Sequence, residues 1–237
     1  MTLTIILAEA ALETIPKQII NHPLIRKHSK KRGKKPSEML LDTSYHYAAM
    51  KKLDERWKRG RPDIIHITLL QILGSPANLQ GKIKVYIHTR NNKVIYINPE
   101  TRLPRNYLRF TGLIEQLFKT RKVPPKAENP LLEVRDMTLK ELIEELKPTK
   151  IIILTSKGKP STPQKIAKEI ILEENPVIII GGFPHGDFNE ETLKLSDEKV
   201  AIYPQPLETW TVASSIIYAY EEKLGIYERA WRKEIKG

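Results

Sequence analysis

An α/β fold built on a parallel sheet with helices on both faces is the architecture this sequence predicts, and three observations predict it. Short, mostly apolar runs at residues 2–8 ("TLTIILA") and 150–154 ("KIIIL"), and an unbroken one at 177–180 ("VIII"), read as buried strands rather than as amphipathic ones. In the second half such runs alternate with helical patterns, as strands joined by crossover helices must. At 237 residues the chain is also long enough to surround a sheet of this kind with a substantial core.

The elements follow in order. Residues 2–8 form the first strand. The stretch "RKHSKKRGKK", 26–35, holds seven basic residues in ten and reads as a solvated loop that becomes a phosphate-gripping arm beside nucleic acid. A helix is expected over 45–56. Pro62 suits the first position of a mostly buried helix that runs to Leu73 and stops at Gly74-Ser75-Pro76. Two alternating segments, 83–88 and 94–97, make a hairpin around Asn91-Asn92. A helix opens after Pro104 with Leu108, Leu113, Ile114 and Leu117 turned inward, and "KVPPKAENP", 122–130, is a connecting loop. Beyond it come a strand at 131–134 and a helix at 138–146, whose Thr138 and Glu141 have capping-box spacing. The pattern continues with a strand at 150–154, a helix at 162–173, and strands at 177–180 and 200–203. A closing helix, 207–224, is ended by Gly225. Repeats and low-complexity tracts are absent.

Charge divides the chain. Residues 1–122 carry 24 basic and 9 acidic side chains, whereas residues 123–237 carry 16 and 19. All the excess positive charge therefore lies in the first half, the electrostatic footprint of a polyanionic partner and foremost of nucleic acid. The second half is left for a small-molecule site. Lack of cysteine excludes disulfides, zinc fingers and thiol catalysis together, and six scattered histidines offer no metal-ligand spacing. The start has no basic region before its brief apolar run, which predicts a first strand instead of a signal peptide. With no run of membrane-spanning length, the expectation is a soluble, cytoplasmic protein.

Ligands of open parallel sheets sit outside the carboxyl ends of the strands. Three loops qualify: "TSKGKPS" after Leu154, "GGFPHGDF" after Ile180, and "AIYPQPLE" around Pro204 and Pro206. None carries a dinucleotide fingerprint or a Walker loop. Together they suggest a stiff, backbone-rich pocket suited to an adenine and ribose; a branched side chain at Gly186 would fill space that such a ligand needs. His185 is a loop histidine, and no catalytic side chain is assigned. In the basic half, Arg105 and Arg109 stand four apart as if on one helical face, Arg102 lies on the approach, and Arg61 abuts another helix start with Asp63 to hold it. Arginine forks onto phosphate and stacks on unpaired bases.

The segments "RGRPDIIHITLLQILGSPANLQGKIKVYIHT" and "NPETRLPRNYLRFTGLIEQL", with "GGFPHGDF" and "IYPQPLETWTVASSIIYAYEE", cover nearly the whole chain. They closely resemble the ribosome-biogenesis pseudouridine N1-methyltransferases of the SPOUT superfamily. The resemblance implies a single SPOUT-type domain with a carboxyl-terminal trefoil knot and the hairpin as a family insertion. It implies a homodimer that uses S-adenosylmethionine, with no metal, to methylate N1 of a pseudouridine in small-subunit (16S) ribosomal RNA. Cofactor contacts would fall on Leu154, Thr155, Gly181, Gly186 and the run Ala201, Ile202, Tyr203, Pro204, Gln205, Pro206 and Leu207. RNA contacts would fall on Arg61, Arg102, Arg105 and Arg109, with Asp63 bracing Arg61. The closing helix, with Trp210, Val212, Ile216, Ile217 and Tyr220, would supply apolar surface for the twofold contact. Two other functions remain open: 2′-O transfer to ribose by an enzyme of the same superfamily, and a non-catalytic ribosome-assembly factor.

Overall fold

In the computed structural model, which describes residues 2–234, the chain builds one eight-stranded sheet. The first part comprises β1 (Leu3–Ala10), α1 (Pro23–Arg32), α2 (Thr43–His46), α3 (Pro62–Leu73), α4 (Pro76–Leu79), β2 (Ile83–Thr89), β3 (Lys93–Ile97) and α5 (Tyr107–Thr120). The second comprises β4 (Lys122–Val123), β5 (Leu132–Asp136), α6 (Leu139–Leu146), β6 (Lys150–Pro160), α7 (Pro163–Ile170), β7 (Pro176–Gly181), α8 (Glu190–Leu193), β8 (Glu198–Ala201), α9 (Thr209–Leu224) and α10 (Ile226–Glu234). The strand order is β4-β5-β3-β2-β1-β7-β6-β8. From β2 to β8 neighbouring strands are parallel; β3, β5 and β4 extend the sheet antiparallel. The charge-divided halves thus share one sheet, because β1 of the basic half pairs with β7 of the other.

Every residue of β1 is buried, which is what a central strand with covered faces requires. Leu3, Ile5 and Leu7 pack with Ile65 and Ile72 of α3, Ile114 of α5, Ile166 of α7 and Ile216 of α9. Ile6 and Ala8 pack on the opposite side with Leu139 and Leu142 of α6. Each fully buried aliphatic side chain contributes about 1.5–3 kcal/mol, so the central strands anchor the domain. The α6 capping box is formed: Glu141 N–H donates to the Thr138 hydroxyl at 3.2 Å, and Thr138 N–H donates to the Glu141 carboxylate at 2.7 Å. A satellite core of Ile19, Ile25, Met39, Leu41 and Met50 lies under α1 and α2.

Several local expectations are overturned. The basic run 26–35 is a helix over most of its length, not a loop. His22 accepts from Leu24 N–H, Pro23 starts the helix, Ile25 is buried, and Gly33 closes it at φ +61°. Two of its cations are neutralised internally: Arg32 donates twice to Glu115, at 2.8 and 2.9 Å, and Lys34 lies 2.6 Å from the same carboxylate, which is 2% exposed. The helix expected over 45–56 breaks into α2 and two short 3-10 turns, because Asp42 caps it early and Glu55 adopts φ +45°. Asn106 caps α5 so that Phe110, not Leu108, enters the core; Leu108 is 63% exposed. Arg105 precedes that cap and lies outside the helix, so it shares no helical face with Arg109. In α9, Ile216, Ile217 and Tyr220 are buried within this chain, and Trp210 and Val212 alone of the five apolar residues expected at a partner are partly exposed.

Candidate active site

The middle of β6, at its bulge, and the carboxyl ends of β7 and β8 open onto a cleft; residues 155–160, expected as a loop after Leu154, instead continue β6, because the strand resumes its pairing with β8 beyond the bulge. Ten of the eleven residues expected around a ligand line the cleft; Pro204 does not. Its apolar floor includes Leu154, Ile180, Val200 and Val212, and its walls include the main chain of Gly181, Ala201 and Ile202. The loop after β7 is laced to β1: Gly182 N–H donates to Ala8 O and Ala11 N–H to Gly182 O, both at 2.8 Å. Thr209, opening α9, donates its hydroxyl to Gly181 O at 2.8 Å, so the chain beyond β8 returns to the end of β7.

Two glycines are dictated by geometry. Gly158 sits where β6 bulges and Val200 pairs with both Leu154 and Lys159; a Cβ there would lie 2.4 Å from Val200 N. Gly186 has φ +93°, and a Cβ on it would lie 3.2 Å from Lys58 Cε. That atom would point at residues of the amino-terminal half, so the Gly186 requirement is set by backbone and by this close approach, not by ligand space as the sequence suggested.

Asp187 is the one fixed charge lining the cleft among the described residues. Partial burial would raise its carboxyl, but Phe188 N–H at 2.8 Å, the Thr155 hydroxyl at 2.9 Å and Lys157 Nζ at 3.3 Å outweigh that and hold it below the usual carboxylate range. It ties the bulged middle of β6 to the loop after β7. A second brace comes from the amino-terminal half. At a bulge between Leu7 and Ala10, Glu9 takes φ +51° and turns toward the glycine loop. Its carboxylate accepts from Lys58 Nζ at 3.0 Å and from Asn189 N–H at 2.8 Å, while the Lys58 ammonium lies 4.8 Å from the Phe183 ring centroid. Glu9 and Lys58 are both buried. A left-handed non-glycine residue costs of order 1–3 kcal/mol, strain that clusters at functional sites.

The arginines gather at the amino-terminal ends of α3 and α5. Arg61 stands just before α3 and donates Nε and Nη2 to the two carboxylate oxygens of Asp63, each at 2.8 Å. That fork holds the guanidinium firmly cationic, above its ordinary value despite partial burial. Arg102, Arg105 and Arg109 are exposed, and among the described residues none of their side chains has a hydrogen-bond or ion-pair partner. The two groups are joined through His66 of α3, whose Nε2 lies 2.7 Å from Pro104 O, so that nitrogen carries the proton. His66 also stacks on Phe110 at 4.3 Å. Tyr107 donates to Asp42, and burial first, then that carboxylate, push its phenol up.

Sequence reasoning assigned no role to Glu9, Lys58, Gly158 or Asp187. One signal was visible: Glu9 is a carboxylate within an otherwise apolar strand, which a buried partner must balance. Among the described residues no group of three or more histidine, aspartate or glutamate side chains converges as a metal site, and no helix is long and apolar enough to cross a membrane.

Comparison with known proteins adds to this geometry. The family described as EMG1/NEP1 methyltransferase matches residues 5–221. The chain is 48% identical over 224 residues to the "Ribosomal RNA small subunit methyltransferase Nep1" of Staphylothermus marinus, covering 94% of this chain and 97% of that one. It is 47% identical over 219 residues to the protein of the same name from Thermococcus onnurineus, covering 92% and 98%. A solved structure, Archaeoglobus fulgidus Nep1 bound to S-adenosylhomocysteine, matches with a TM-score of 0.82 at 38% identity over 94% of this chain and 98% of that chain.

Proposed function

The chain belongs to the EMG1/NEP1 methyltransferase family, and from that membership we propose that it transfers a methyl group from S-adenosylmethionine to small-subunit ribosomal RNA, at N1 of a pseudouridine. The observation that carries the proposal is the junction of two surfaces. The cleft formed by the bulge of β6 and the ends of β7 and β8 meets, across the loop at residues 183–189, the segment that leads to Arg61.

The cleft fits the cofactor. No lysine or arginine lines it among the described residues, and its Asp187 carboxylate is already paired with Lys157 at 3.3 Å, so the lining offers no cationic clamp of the kind a phosphate needs. Leu154, Thr155, Gly181, Gly186 and the 201–207 segment would hold it. When bound, the cofactor supplies a methyl group already activated by a positively charged sulfur. The chain's own residues then have mainly to align and enclose. The bonds from Thr155 to Asp187 and from Thr209 to Gly181 keep the β6 bulge and the segments after β7 and β8 in register, and near-attack alignment supplies on the order of 7–11 kcal/mol of the barrier. Arg61, stiffened by Asp63, and the unpaired Arg102, Arg105 and Arg109 would fork onto RNA phosphates or stack on splayed bases.

The reading extends to a trefoil knot and a twofold dimer. Supporting the knot, β6 folds round β8 at Gly158 before the chain returns from β8 to Gly181. Supporting the dimer, Tyr203 and Leu207 of the cleft wall are exposed, and Trp210, three residues beyond Leu207 in the chain, is partly exposed. Cofactor titration followed by mass mapping of small-subunit RNA tests the function. A methyl on pseudouridine N1 is the expected product. A methyl on a ribose would move the chain to 2′-O chemistry, and RNA binding without transfer would make it an assembly factor.

A further inference from the structure

A second cleft, of about 860 Å³, lies on the far side of the loop that carries Pro184 and His185, and those two residues line both clefts. Its other walls are Tyr47, Trp57, Arg56 and Arg61, over a floor that includes buried Met50. Trp57 and Tyr47 are 55% and 64% exposed, unusual for two large aromatics flanking one cavity. Their exposure is imposed by their neighbours. Trp57 belongs to the 3-10 turn Arg56–Lys58, and because Lys58 turns inward to Glu9, the indole points outward. The indole lies against the shared loop, since a Cβ on Gly186 would be 3.6 Å from Trp57 Nε1. Tyr47 follows the last turn of α2.

We infer that this cleft receives an unpaired nucleobase of the RNA substrate, stacked on Trp57 and flanked by Tyr47 and Arg61. The inference rests on the RNA-methyltransferase reading and adds the place and the residues that hold the base. Charge complementarity chooses the occupant. Arg56 is exposed, Arg61 is half-exposed, and the first 122 residues carry the protein's excess of basic side chains. Aromatic faces beside arginines suit a base with its phosphate, since every base has a π-face and unpaired bases are held by stacking. A base lodged here lies across the Pro184–His185 loop from the cofactor cleft, so it is a neighbour of the base to be methylated, and holding it would anchor the unpaired strand beside the cofactor.

Trp57 is one of three tryptophans, so stacking can be read as fluorescence quenching on addition of a small-subunit stem-loop. Quenching is expected in the parent and lost in Trp57→Phe. Trp57→Ala should raise KM for the stem-loop roughly 10- to 100-fold, with Trp57→Phe restoring most of the loss and cofactor affinity unchanged. Circular dichroism should show all variants folded, because the ring is exposed. A KM for Trp57→Ala within twofold of the parent would overturn the inference. If the parent transfers no methyl to any small-subunit RNA, the functional reading fails instead, and the cleft is then judged by binding alone. Equal affinity of parent and Trp57→Ala for the stem-loop would sink the inference; a 10-fold gap would keep it.

Discussion

Replacing Lys58 with methionine removes one ammonium and keeps the apolar stem, which makes it a clean probe of how the two halves of the site are held together. The Glu9 carboxylate, 4% exposed, would lose its cation at 3.0 Å and keep only the Asn189 N–H. Asn189 Oδ1 would lose its 3.4 Å donor, and the Phe183 ring would lose the charge over it. Breaking a buried ion pair from one side costs about 3–5 kcal/mol, chiefly because the remaining charge is stranded. For a domain of this size each kcal/mol moves Tm by about 2–4 °C, so a fall of about 6–20 °C is expected. Adding Glu9→Gln removes the stranded charge while an amide oxygen can still accept from Asn189, so the double variant should recover most of the loss. Thermal and urea unfolding of all four members of the cycle measure the coupling, expected to exceed about 2 kcal/mol. Calorimetry of the single variant should also show weaker cofactor binding, because Glu9 and Lys58 hold the loop that lines the cleft. A loss under about 1 kcal/mol for Lys58→Met, or strictly additive single variants, would refute the claim that this pair braces the loop.

Alanine at Gly158 should destabilise the domain by at least about 2 kcal/mol and disturb the cofactor cleft, because its Cβ would meet the Val200 backbone, which cannot move aside as a side chain would; unchanged melting and cofactor affinity would count against it. Alanine at Arg102, Arg105 or Arg109 should leave cofactor affinity and melting unchanged; for each that contacts phosphate, filter binding across a salt series should show a slope flatter by about one unit. Asp63→Ala should weaken RNA binding by freeing Arg61, and parent-like binding by all of these variants would show the arginines to be mere surface. His46 predicts an acid-sensitive module. Burial first, then the adjacent His28, lower its pKa to about 4 from an ordinary 6.5. Its Nδ1 accepts from Asp42 N–H at 3.0 Å and its Nε2 lies 2.8 Å from His28 Nδ1, so the neutral ring is already fully used. Because the folded value lies below the unfolded one, this stabilisation is complete above pH 6.5 and is lost as pH falls toward 4, by up to about 3 kcal/mol. Melting across that range should show the loss in the parent and a flatter profile in His46→Gln; superimposable profiles would refute the assignment.

Local signals determined much of this protein without help from the fold. Runs such as "TIIL" and "VIII", short and rich in β-branched residues, read as buried strands, Pro62 and Gly225 mark the ends of their helices, and the spacing of Thr138 and Glu141 yields the capping box they form. Each depends on a residue and its near neighbours, which is why it can be read in one dimension. The charge imbalance and the loops after β7 and β8 were legible for the same reason, whereas residues 155–160, expected as a loop, continue β6 around its bulge. Tertiary structure decided what depends on residues far apart in the chain. Seven basic residues in ten signal solvent until Glu115, more than 80 positions away, pairs with two of them and leaves their segment free to be helical. Leu108 fits an inward stripe until the Asn106 cap sets where the helix begins and so which way it faces. Glu9 and Lys58, 49 positions apart, acquire meaning only when a bulge in β1 turns one toward the other beneath the glycine loop. A buried charge is compatible with folding only when its partner arrives from elsewhere, and that partner is fixed by packing rather than by local sequence.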